Sequence, residues 1–96
     1  MSGYILSAAA AEDLRTIYSD SWDGFGERQA DIYYDDLLTC FSRLASFPAL
    51  GRTLDPPHAG LRKLAHDSHL ILYRQEDRHL LIVRILHQGM DLDRHV

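Results

Sequence analysis

Cysteine is almost missing from this chain. Cys40 is the one cysteine among 96 residues, so no intramolecular disulfide can form, and a reducing, cytoplasmic setting is expected. A single small buried apolar role suits that residue. Proline and glycine are also scarce, three and six residues, which excludes a linker-like or disordered chain. The start, "MSGYILSAAAAEDL", has no basic n-region and no long apolar run, so neither a secretory signal nor a membrane span is expected. There is no phosphate-cradling glycine loop, no nucleophile elbow and no Cys–His signature. A surplus of positive charge is missing too. The net charge is −4, which argues against direct, non-specific binding to nucleic acid.

What is present reads as one globular domain over residues 1–96. Hydrophobic residues make up 46% and charged residues 25%. The charge is uneven. Residues 1–48 hold three Lys+Arg against eight Asp+Glu, and residues 49–96 hold seven against six. The first half is therefore the acidic one.

Tyr4-Ile5-Leu6 is a short strand, and Ser7 stands where a helix N-cap belongs. Ala10, Leu14, Ile17, Tyr18 and Trp22 recur at helical spacing, and "DGFG" at 23–26 punctuates the end. Ala30, Tyr34, Leu37, Leu38, Phe41, Leu44 and Ala45 mark a second helix that Pro48 stops. The link is short, so the two helices fold back as a hairpin. "PALGRTLDPPHAG" holds all three prolines and reads as a loop. Three strand-like runs follow, Leu61–Ala65, His69–Arg74 and Leu80–His87, with links short enough for antiparallel hairpins. The third, rich in Ile, Val and Leu, is expected to be central. The order predicts an α+β fold: a short N-terminal strand, then an antiparallel helical hairpin packed on one face of a small antiparallel sheet.

The last run carries the chemistry worth weighing. Strict alternation places Leu80, Ile82, Arg84 and Leu86 on one face and Leu81, Val83, Ile85 and His87 on the other. An arginine in such a run needs partners. Arg84 either pairs with a helix carboxylate or lines a cleft. His87, at the strand end, is either an edge histidine bonded to backbone or a general acid or base. Arg62, Lys63, Arg74 and Arg84 offer cations for a phosphate, but they are scattered over three strands. Metal binding has little support. "HDSH" at 66–69 and "MDLDRH" at 90–95 match no known ligand spacing, and no cofactor is implied.

The strings "YILSAAAAEDLRTIY", "FGERQADIYYDDL", "FPALGR", "GLRKLAHDSHLILYR" and "VRILHQGMDLDRH" together cover nearly the whole chain. In that order they resemble the ParE toxins of the RelE/ParE superfamily, from bacterial type II toxin–antitoxin pairs. The resemblance implies a helical hairpin against an antiparallel sheet. It implies a ParD-like antitoxin whose tail orders as it wraps the toxin, and DNA gyrase as the target. On that basis Arg84, His87, Met90 and Asp91 are the expected target contacts, and Trp22, Phe25 and Tyr33 are expected to meet the antitoxin. Relatives of the RelE type imply an alternative, a ribosome-dependent mRNA endonuclease, for which Arg62, Arg84 and His87 would be the catalytic set. A toxin fold that only binds partners is a third reading.

Overall fold

The computed structural model of the chain describes residues 3–90 and 92–95. Strand β1 (Gly3–Leu6) leads into helix α1 (Ala8–Phe25), which turns into α2 (Glu27–Ser46). A 3-10 turn at Pro48–Leu50 and a two-residue strand β2 (Arg52–Thr53) follow. Strands β3 (Arg62–His66), β4 (His69–Gln75) and β5 (His79–His87) come next, then a short helix α3 (Leu92–His95). The sheet order is β1-β5-β4-β3-β2. The three antiparallel strands pair as the sequence implied, and β1 joins them alongside β5 in parallel, so the sheet is mixed. A sequence scan has little hold on β2, which is only two residues long. β4 is the middle strand, while β5 is flanked on both sides along its first half.

Ser7 fixes how α1 leaves the sheet. Its hydroxyl accepts the Ala10 N–H at 3.0 Å and donates to the Val83 carbonyl at 2.7 Å. One side chain thus satisfies a free amide of the helix start and a carbonyl on the β5 edge beyond the end of β1. The expected break at "DGFG" is later than the first glycine. α1 runs through Gly24, and only Gly26 ends it, with φ at +89° where a side chain would be strained. The hairpin link is therefore this one residue.

The core lies between the hairpin and one face of the sheet. Leu14 and Ile17 of α1 and Leu37, Phe41 and Leu44 of α2 pack on Ile71, Tyr73, Leu80, Ile82 and Ile85. Each fully buried Leu, Ile or Phe contributes roughly 1.5–3 kcal/mol. Cys40 is buried here, as its composition suggested. Tyr73 also fixes the loop after α2. Its hydroxyl donates to the Pro48 carbonyl at 2.6 Å and accepts the Gly51 N–H at 2.7 Å. A side chain at Gly51 would meet the Tyr73 ring and come within 2.8 Å of the Lys63 carbonyl.

The strict alternation expected for the last strand does not hold. Tyr73 faces Ile82, but Leu72 faces Arg84, so Val83 is the extra residue of a β-bulge. The bulge changes the phase. Ile85 joins Leu80 and Ile82 in the helix-side core, instead of sharing a face with Leu81 and Val83. His87, two residues on from Ile85, comes to the helix side as well.

Candidate functional site

The turn at Asp67-Ser68, with Asp67 at φ +51°, makes His66 and His69 direct cross-strand partners. The β4–β5 register makes His69 and His87 partners in turn. Direct partners share a face, so three histidines form a row across β3, β4 and β5 at one end of the sheet. The His69 and His87 rings meet edge to face with centroids 5.8 Å apart. Tyr33 of α2 covers the row, its ring 5.8 Å from His66 and 5.5 Å from His69.

Its hydroxyl lies 2.6 Å from His69 Nδ1 and 3.4 Å from the His66 carbonyl. Burial, then the neighbouring His87 and His66, push the His69 pKa below its ordinary value, against a smaller pull from Asp67. The ring of a neutral His69 shares a hydrogen bond with the Tyr33 hydroxyl at Nδ1. Burial pushes the Tyr33 hydroxyl up to about 12; Asp67 and Asp36 add to this and a hydrogen bond with Ser68 opposes it. Tyr33 is thus a neutral donor at physiological pH. His66 Nε2 is buried with no hydrogen-bond partner among the described residues; the Asp67 carboxylate lies 4.0 Å away.

His69 and His87 of this row floor a cleft of about 400 Å³ beneath the tip of the hairpin. Ile17, Asp20, Ser21 and Phe25 of α1 and Gln29 and Tyr33 of α2 line it, facing Ser68, His69 and His87. The cleft brings together three residues expected from the sequence to be functional, Phe25, Tyr33 and His87. His87 is exposed at its rim, where its Nδ1 accepts the Gly89 N–H at 3.4 Å. Phe25 is 77% exposed.

The other expected residues lie elsewhere. Arg84 forms a two-pronged pair with Asp13, Nε to Oδ2 at 2.7 Å and Nη2 to Oδ1 at 2.9 Å. Asp13 Oδ2 also accepts the Ile85 N–H at 2.9 Å. Of the two roles open to Arg84 in the sequence, the structure places it in the helix-carboxylate pair. Trp22 is exposed and packs edge to face on Tyr18, 6.1 Å between centroids. Met90 is exposed in the turn after β5, its N–H donating to the His87 carbonyl. Asp91 lies outside the described residues. Arg62 binds the Gly51 carbonyl at 2.8 Å, and it sits four positions along β3 from His66, about 13 Å at strand spacing. Arg62, Arg84 and His87 therefore do not converge. Among the described residues no three His, Cys, Asp or Glu side chains are placed to hold a metal ion, and no helix is long and apolar enough to cross a membrane.

Sequence reasoning weighed His66 and His69 only as metal ligands and passed over Ser68, Asp20 and Gln29. The two-residue turn in "HDSH" was a usable signal for the His66–His69 pair. The His69–His87 pair depends on a register that the bulge shifts.

A helical hairpin on one face of such a sheet is the fold of the RelE/ParE toxins. The chain matches the family described as the ParE toxin of the type II toxin–antitoxin system, parDE, over residues 4–92. Toxin ParE1 of Mycobacterium tuberculosis is 38% identical over 96 residues, spanning 99% of this chain and 98% of that one. Among solved structures, the chromosomal ParDE system from P. aeruginosa superposes with a TM-score of 0.77 at 21% identity, covering 91% of this chain and 96% of its own. The RelBE2 toxin–antitoxin complex from M. tuberculosis gives 0.68 at 20% identity, with 93% of each chain covered. This chain belongs to the ParE toxin family and is the toxin component of a type II toxin–antitoxin system.

Proposed function

We propose that this toxin inhibits DNA gyrase in the cytoplasm and is neutralised by a ParD-like antitoxin. Membership of the ParE family over residues 4–92 carries the reading. The fold alone does not choose between targets, because ParDE and RelBE chains both superpose on it. The site geometry weighs against the endonuclease alternative. A ribonuclease needs cations and an acid–base group converging on one phosphate. Here Arg84 is engaged with Asp13, and Arg62 is several residues away along β3 from the histidine row. His87 and Met90, exposed at the end of β5 and in the turn after it, remain the better target contacts. Trp22, Phe25 and Tyr33 present the hairpin to the antitoxin.

Purified chain, added to bacterial gyrase with relaxed plasmid and ATP, should block supercoiling or trap cleaved DNA. His87→Ala should weaken that effect without releasing the antitoxin. Undisturbed supercoiling by folded, antitoxin-free chain, together with new mRNA ends after induction, would move the activity to the ribosome.

A further inference from the structure

The cleft beneath the hairpin tip has walls of one character and a charge of one sign. Phe25, Tyr33 and Ile17 supply the apolar faces, and the His69 and His87 rings lie at the floor. Asp20 stands on the α1 wall, exposed, with no ion pair or hydrogen bond among the described residues. Among the described residues no lysine or arginine lines the cleft. The sequence from 20 to 36 holds six acidic residues against a single arginine. His69 adds no positive charge at neutral pH, because burial and its histidine neighbours favour the neutral ring.

Flat π faces beside an unpaired carboxylate select for a cation that is itself flat. We propose that the cleft receives an arginine side chain of the antitoxin, its guanidinium on the Asp20 carboxylate and stacked on Phe25 or Tyr33, its stem over Ile17. This rests on the antitoxin reading above and names the chemistry of the contact. It also says how neutralisation works. An arginine seated there covers His87, so the antitoxin shields a residue that meets the target.

Isotope-labelled full chain is titrated with N-acetyl-arginine amide and with its lysine and citrulline counterparts. The arginine probe should shift the His69, His87 and Phe25 ring signals saturably. Citrulline, of the same shape but neutral, should bind roughly tenfold more weakly, the scale of one charge-assisted hydrogen bond. Asp20→Asn should weaken the arginine probe by a similar factor. Glu12→Gln, in the exposed pair with Arg15, should not. Absence of saturable shifts in the cleft, or equal binding of citrulline, overturns the site. Equal binding of lysine overturns its assignment to arginine.

A second measurement uses the intact complex with a ParD-like antitoxin. Asp20→Asn and Phe25→Ala should each lower the affinity about tenfold. Unchanged affinity overturns the antitoxin assignment even where the probe binds. A wild-type chain that captures no antitoxin refutes the partner reading instead, and the probe titration still decides the site.

Discussion

Asp13→Ala should be among the most damaging single changes outside the apolar core. The carboxylate accepts three hydrogen bonds, from Arg84 Nε and Nη2 and from the Ile85 N–H. Its side chain is 15% exposed and that of Arg84 is 23% exposed. Removing one partner of a buried, hydrogen-bonded ion pair costs about 3–5 kcal/mol, because the other charge is left desolvated. Water at the open part of the guanidinium recovers some of that, so about 3 kcal/mol is the working value. A domain of this length has a stability of roughly 5–14 kcal/mol. Its melting temperature moves about 4–8 °C per kcal/mol, so the variant should melt roughly 12–24 °C lower. Asp13→Asn keeps an acceptor for Ile85 and loses the charge, so it should fall between wild type and alanine. The assay is thermal and urea unfolding followed by circular dichroism, with Arg84→Ala and the double variant completing a cycle. Coupling of about 1 kcal/mol or more is expected. A drop below about 4 °C for Asp13→Ala, or strictly additive single and double variants, would refute the assignment of Asp13 as the latch between α1 and β5.

Ser7→Ala removes the α1 cap and the bond to the Val83 carbonyl, and should cost about 1–2 kcal/mol in urea unfolding. Tyr73→Phe leaves the Gly51 N–H and Pro48 carbonyl without their partner, so about 1–3 kcal/mol should be lost, with faster hydrogen exchange at Gly51. The His69 pKa is lower in the folded than in the unfolded chain, so the unfolded state takes the proton first as pH falls. The stability this residue contributes is therefore whole above about 6.5 and is lost as pH drops through that value toward the folded pKa. His69→Gln should flatten the acid limb of a stability–pH profile. Tyr33, pushed up to about 12, works at the other end: its contribution is whole below about 10 and is lost as pH rises toward 12. His87→Ala should leave unfolding within about 0.5 kcal/mol of wild type while weakening gyrase inhibition, whereas Arg84→Ala should lose stability as well.

The helices were legible because their signals are local. Ser7 as the cap, the stripe of Leu14, Ile17, Leu37, Phe41 and Leu44, and the stop at Pro48 depend on residues a turn or two apart. The strands were legible as runs of Ile, Val and Leu for the same reason. What was not legible depends on pairs far apart in the chain. Nothing in "VRIL" announces that Val83 is a bulge, because the bulge exists only relative to Leu72 and Tyr73 on β4. That one residue sends Ile85 into the core and turns His87 toward the hairpin. The Asp13 partner of Arg84 is 71 residues away, so spacing could raise the need for a carboxylate but not name it. Trp22 shows the opposite failure. It sits on the periodic stripe of α1, yet it is 44% exposed, one turn beyond Tyr18, on whose ring it packs edge to face.

Arg84 and His87 are therefore different kinds of residue, although they are three positions apart on one strand. Up to Ile82, β5 is flanked by β1 and buries Leu80 and Ile82 in the core. Past that point β1 has ended, and the free edge of β5 is met by the cap and first turns of α1 instead: Ser7 on the Val83 carbonyl, Asp13 on the Ile85 N–H. Arg84 belongs to this seam, and its charge is held by the fold. His87 lies beyond it, in the cleft that the bulge and the hairpin tip open together. A loss of toxicity in an Arg84 variant is then ambiguous, since a loosened seam would displace α1 and with it Asp20 and Phe25. The same loss in a His87 variant of unchanged stability is not, because that ring is exposed at the cleft rim and packs on His69 rather than in the apolar core. The strand end is a place of function only because α1 completes the edge that β1 leaves open.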